Sequence, residues 1–183
     1  FRRASWKERI RYWLARFLIP RADCVRVVSK RIKQNLRQAR LPAEKITVLP
    51  IFTDVSKFLS GKSHRAEDER FKDYDFKMIA VGRFVDKEKN FSMLINLMRD
   101  FIKTCPKAPL VLVGDGPDGR NYELRIRNYG LQKNVIIEPW RDDLPSFYKS
   151  FDLYLMSSNY EGWGRTVVEA MASGLPVVAT EVG

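Results

Sequence analysis

From Phe76 onward, short and nearly uninterrupted apolar runs alternate with stretches of helical periodicity, and this alternation most narrows the folds open to the chain. The runs are KMIAVG (77–82), LVLVG (110–114), NVIIE (134–138), DLYLMS (152–157) and PVVAT (176–180). Helical patterns lie between them, at about 90–103, 118–129, 143–150 and 165–173. Asn90 reads as the N-cap of the first; Gly174, with Pro176 just beyond, closes the last. A strand that is apolar along its whole length has no polar face to turn to water, so it must be covered on both sides. The expectation is an α/β domain with a doubly wound parallel sheet, whose ligands bind at the carboxyl ends of its strands.

The segment ahead of this domain has a different character. CVRVVS (24–29) reads as a strand, residues 29–40 as a basic helix, and ITVLP (46–50) as a strand ending at Pro50. Residues 59–75 are charged and poor in apolar side chains, an exposed loop. The chain therefore divides into 1–45, the end of a preceding domain; 46–75, an interdomain linker or hinge with that loop; and 76–183, a ligand-binding domain. Phe1-Arg2-Arg3 at the start and Val182-Gly183 directly after a strand read as cuts, so truncation is expected at both ends, with the last domain incomplete.

Charge is distributed unevenly. Residues 1–41 hold thirteen Lys/Arg against two Asp/Glu, so the whole formal excess of +11 lies there, while residues 42–183 are balanced. Residues 5–19, SWKERIRYWLARFLI, place Trp6, Ile10, Trp13, Leu14, Phe17 and Leu18 at helical spacing between Lys7, Arg9, Arg11 and Arg16. Such a basic, aromatic, amphipathic helix suits an anionic membrane surface; packing of its apolar face on another domain is the other reading. No base-reading or base-stacking pattern accompanies the charge, so nucleic acid is not an expected partner. No run is long and apolar enough to span a bilayer. Cys24 and Cys105 read as ordinary buried thiols, and His64 as a loop residue. Neither cysteine has a histidine at metal-ligand spacing, so no metal site is expected.

Three loops at strand ends could carry chemistry. Gly82-Arg83 leads through Lys87 and Lys89 to a helix, an arrangement that suits phosphate. Gly114-Asp115-Gly116-Pro117-Asp118-Gly119 satisfies G-x-G-x-x-G, with Glu138 ending the next strand, so an NAD-type dinucleotide-binding domain of an oxidoreductase is a rival reading. Against it, Pro117 has no N–H to offer and the motif follows the second regular strand, not the first. The third loop, Glu161-Gly162-Trp163-Gly164-Arg165-Thr166, enters a helix that carries Glu169. Glycines expose backbone amides at a helix N-terminus between two carboxylates, which suits a ligand with hydroxyls at both ends and a diphosphate between them.

EGWGRTVVEAMASGLPVVATEVG resembles the E-x7-E segment of retaining family 4 glycosyltransferases of the GT-B fold, built from two Rossmann-like halves. VGRFVDKEKNFSMLI, ITVLPIFTDVSKF and ADCVRVVSKRIKQNL resemble, in the family's order, its "VGR…K-G-F…LI", its interdomain segment and the end of its N-terminal domain. The resemblance implies that a nucleotide-diphosphate sugar, UDP- or GDP-linked, binds the C-terminal domain without a metal or further cofactor. By position, Gly82, Arg83 and Lys89 then meet the diphosphate, and Glu161 the donor sugar. Backbone amides of Gly162, Trp163, Gly164, Arg165 and Thr166 meet sugar and phosphate, and Glu169 meets the ribose. Glu161, Arg83 and Lys89 are the implied catalytic set, acting by holding the sugar and stabilising the leaving diphosphate. The implied acceptor is a glycan or lipid-linked sugar, in polysaccharide or glycolipid biosynthesis on the cytoplasmic side, with peripheral membrane contact through residues 1–41. The sequence departs from the family pattern at Asn90, where Gly is usual, at Ile51-Phe52-Thr53 for Asn-Gly-Val, at Ser157 for Pro, and at Arg165 for an aliphatic residue. Arg165 is open to two readings, a substrate contact or a surface charge.

Overall fold

A computed structural model describes residues 6–38, 41–60, 69–71 and 73–182, apart from the side chains of Glu8, Gln38 and Glu69. His64 and most of the 59–75 loop lie outside the described residues. The chain forms two compact units, residues 1–52 and residues 53–182.

In the first unit, α1 (Trp6–Leu18) leads through a 3-10 turn to β1 (Val25–Val27), α2 (Lys30–Gln38) and β2 (Ile46–Val48), which pairs parallel with β1. A small core of Val27, Leu41 and Ile46 is sealed by Ile32 and Leu36 of α2. The lysines serve the backbone here: Lys33 donates to the Ile46 carbonyl at 2.8 Å. Along α1, Trp6, Ile10, Trp13, Leu14, Phe17 and Leu18 are all exposed, and Trp13 stacks on Phe17. Cys24 and Cys105 are exposed as well, contrary to the expected burial. Cys24 directly precedes the short β1, and Cys105 lies in the turn after a helix, so neither sits inside an element that the sheet or its helices cover.

The second unit opens with α3 (Ser56–Ser60) and continues β3 (Met78–Val81), α4 (Asp86–Lys89), α5 (Phe91–Phe101), β4 (Leu110–Val113), α6 (Gly119–Asn128), β5 (Val135–Glu138), α7 (Leu144–Tyr148), β6 (Leu153–Met156), α8 (Arg165–Ala172) and β7 (Val177–Ala179). All five of its strands pair parallel in the order β5-β4-β3-β6-β7. The expected doubly wound α/β architecture is thus present. Strand residues alternate between two cores: Met78, Ala80, Leu110 and Leu112 face Phe91, Ile95, Met98 and Tyr122, whereas Ile79, Val81, Val111 and Val113 face Phe147, Tyr148, Phe151 and Ala170. This two-sided burial is why the strands read as continuous apolar runs. Truncating one such residue, Leu112→Ala for instance, leaves a void costing about 3 kcal/mol. Phe71, within the segment read as exposed, is buried and packs edge-on against Phe151 at 5.7 Å.

Two helix ends merit comparison with expectation. Gly174 adopts φ +85°, and N–H groups of Gly174 and Leu175 return to Met171 and Ala170, the expected glycine stop. Asn90 does not cap α5 through its side chain. It takes the left-handed conformation at φ 50°, ψ 42°, and Asp86 instead accepts the Ser92 N–H at 2.9 Å. The kinked α4–α5 junction thus explains why glycine is usual at this position and why asparagine, which tolerates that conformation best among the rest, replaces it.

Candidate functional site at the carboxyl ends of β3 and β6

Chain order reverses in the sheet between β3 and β6: the strands after β3 run outward to β5 on one side, and β6 and β7 return on the other. A doubly wound sheet opens a crevice at such a switch point, because successive connections leave on opposite sides. The loops flanking this crevice are 82–90 and 157–164.

Several hydrogen bonds tie them together. Ser157 Oγ donates to the Lys89 carbonyl at 2.9 Å, and the Asn159 N–H to the Glu88 carbonyl at 2.8 Å. Asn90 Nδ2 donates to Asn159 Oδ1 at 3.2 Å, so both departures from the family pattern, Asn90 and Ser157, brace the same junction. The stem of Lys89 lies over Gly82, and its ammonium pairs with Glu161, which also accepts from Ser158 at 2.8 Å. Both charged side chains are largely buried there. Arg83 points outward, paired with Glu88 at 2.8 Å.

Gly164 reaches φ +69°, a conformation glycine adopts freely, and turns the chain into α8. Among the described hydrogen bonds, none uses the backbone N–H groups of residues 162–166. The indole Nε1 of Trp163 is also buried without a partner. Thr166 Oγ1 accepts from Tyr154 OH at 2.7 Å, which fixes the first turn of α8 on β6. One turn on, Glu169 is 7% exposed. Burial pushes its carboxyl above the ordinary value, and Arg165, 3.5 Å away, opposes that shift. The sequence-selected residues Gly82, Lys89 and Glu161 thus meet directly, while Arg83 and Arg165–Glu169 flank them on neighbouring loop and helix.

The GDGPDG loop does something else. A Cβ on Gly114 would lie 2.0 Å from the Gly82 carbonyl oxygen, and one on Gly116 2.7 Å from that of Phe84. These glycines let two loops touch backbone to backbone. Its N–H groups are used inside the fold: Gly114 to Glu138, Asp118 to Phe84 and Gly119 to Gly116, all onto carbonyls, and Gly116 onto the Asp115 carboxylate. Glu138 is held by Arg70 and Arg141. Four of the loop's five N–H groups are thus taken and Pro117 has none, which leaves no run of amides to cradle a pyrophosphate, so the NAD reading is not supported. Trp140, just after β5, is 56% exposed and so is not a core residue.

The family Glycosyl transferases group 1 matches residues 62–183, and Glycosyl transferase 4-like domain matches residues 1–51. The chain belongs to the group 1 glycosyltransferases. It is 31% identical over 170 residues to an uncharacterized glycosyltransferase, YqgM, of Bacillus subtilis strain 168, covering 92% of this chain and 45% of that one. It is 28% identical over 177 residues to the alpha-monoglucosyldiacylglycerol synthase of Streptococcus pneumoniae, covering 91% and 39%. Among solved structures, Anabaena HepE in complex with UDP and glucose superposes at TM-score 0.76 with 25% identity, over 93% of this chain and 48% of that one. The glycosyltransferase chain spans less than half the length of these relatives. Among its described residues, no three His, Cys, Asp or Glu side chains are grouped to hold a metal ion, and no helix is long and apolar enough to cross a membrane.

Proposed function

We propose that this glycosyltransferase chain carries the donor site of a retaining family 4 enzyme, a hexosyltransferase type that moves a sugar from a nucleoside diphosphate to a glycan or lipid-linked acceptor. The observation that supports this most is the run of amides at 162–166, unpaired among the described residues, set between Glu161 and Glu169 and beside Lys89. A diphosphate suits the amides and the positive end of α8. Lys89 and Arg83 supply the cations that stabilise negative charge on the leaving diphosphate. Glu161 and Glu169 accept hydrogen bonds from donor-sugar and ribose hydroxyls, Gly82 lies beneath the Lys89 stem at the end of β3, and Trp163 orders the amide loop. On binding, Lys89 exchanges Glu161 for phosphate, and Glu161 is released to the sugar. The HepE complexes with UDP and with UDP-glucose support a nucleotide-sugar donor. In this reading the donor is UDP- or GDP-linked and acts without a metal or further cofactor.

Glu169 makes this site pH-dependent. Its pKa is raised from 4.5 by burial, so its protonated form favours folding; that contribution is present below 4.5 and is lost as pH rises through the folded value. Donor affinity moves the other way, rising over the same window as the carboxylate forms.

The test is thermal stabilisation by UDP, GDP, ADP and NAD, with and without Glu169→Ala. One nucleoside diphosphate should raise Tm, and Glu169→Ala should abolish the rise. Stabilisation by NAD, or a rise untouched by Glu169→Ala, refutes the site. The isolated 183 residues should bind this donor without transferring sugar, as an assay of labelled-sugar transfer would register.

The exposed aromatic face of α1 among cations supports contact with an anionic membrane surface on the cytoplasmic side. Co-sedimentation with phosphatidylglycerol vesicles, lost in Trp13→Glu, is the expected result; equal sedimentation of both proteins speaks against it.

A further inference from the structure

The pair formed by Arg165 and Glu169 is oddly placed for a helix. Arg165 is the first residue of α8, where the backbone dipole disfavours a cation, and no acid occupies that turn. Its partner lies four residues toward the C-terminus, the weaker orientation for a helical ion pair. The pair is also unequal: the guanidinium side chain is 60% exposed, the carboxylate side chain 9%. Helix stability therefore gives no reason for an arginine here, where the family pattern has an aliphatic residue.

Its reason lies in Glu169. From β6 and α7 that carboxylate is faced by two phenols, Tyr154 and Tyr148, neither a source of positive charge. Lys57 of α3, which packs against α8, is exposed. Arg165 is the cation that acts on it, 3.5 Å from Glu169 Oε1. We propose that Arg165 is a positioning residue, holding the Glu169 carboxylate in place to accept both hydroxyls of the donor's ribose. This rests on the reading of Glu169 as the ribose acceptor. Without the guanidinium, burial alone acts on Glu169, and the acid keeps its proton to higher pH.

The experiment is calorimetric titration from pH 5 to 8 with UDP or GDP, whichever binds the tighter, and with its 2′,3′-dideoxy analogue. Wild type is compared with Arg165→Leu, Arg165→Lys and Glu169→Gln. Arg165→Leu should weaken binding of the parent nucleotide about tenfold at the acid end and converge on wild type at pH 8, its inflection moved to higher pH. Arg165→Lys should restore the wild-type profile, and the dideoxy analogue should not distinguish Arg165→Leu from wild type. An equal loss at every pH, or an equal loss for both nucleotides, overturns the proposal and puts the guanidinium on the phosphates instead. No loss in Arg165→Leu overturns it too. If Glu169→Gln binds as wild type does, the ribose reading itself fails, an outcome separate from the other two.

Discussion

The GDGPDG loop after β4 and the EGWGRT loop after β6 leave the same edge of one sheet, each with glycines ahead of a helix. In the first, four backbone N–H groups are bonded within the fold, and two glycines are pressed against the carbonyls of Gly82 and Phe84. In the second, the N–H groups of residues 162–166 have no partner among the described residues. The first loop uses its backbone within the fold; the second does not. Glycine supplies either service, close approach or exposed amides, so a glycine pattern does not by itself say which.

Substitutions can break this contrast, and the largest effect should fall on the β4 loop. Gly114→Ala puts a Cβ into a backbone carbonyl that cannot move without shifting β3. A loss above about 4 kcal/mol in urea unfolding is expected; a loss under about 1 kcal/mol would show that the contact yields easily. Lys89→Met should come next. It strands the largely buried Glu161, costing about 3 kcal/mol, and should weaken UDP or GDP binding about ten- to a hundredfold by calorimetry. Unchanged affinity would remove Lys89 from the site. Gly164→Ala has room for its methyl, 3.8 Å from Val167, and meets only the cost of a positive φ, about 1 kcal/mol. Its nucleotide affinity should fall more than its stability, the reverse of Gly114→Ala. Asp115→Ala should do least, about 0.5 kcal/mol from one lost local hydrogen bond, with nucleotide binding intact. A binding defect there would return the β4 loop to the candidate site.

Much of the second unit was legible in the chain. All five of its strands fall inside the apolar runs read from the sequence, and in the central β3 and β4 every residue is buried, which leaves no position for a polar side chain. The Gly174 stop was equally plain, since its φ of +85° suits glycine above any other residue. Other features depended on layers that sequence spacing does not encode. Nothing local marks Cys105 or Trp140 as exposed, or Phe71 as buried among charged neighbours. Asn90 was picked out as a helix start for its side chain, whereas its backbone conformation is what the junction uses. The role of Arg165 was open because its partner, one turn away, could have been solvent-facing until α8 was laid against β6 and α7.

The sequence by itself determined the parallel sheet, the order of its elements and the choice of candidate residues for a diphosphate and sugar hydroxyls. Those follow from periodicity and side-chain chemistry, which are properties of the chain. Only the tertiary structure decided which glycine loop is available and which cation faces which carboxylate. Strand order set both: it placed β3 beside β4 and β6, so that one glycine loop was consumed in packing while Lys89 and Glu161, 72 residues apart, met across the switch point.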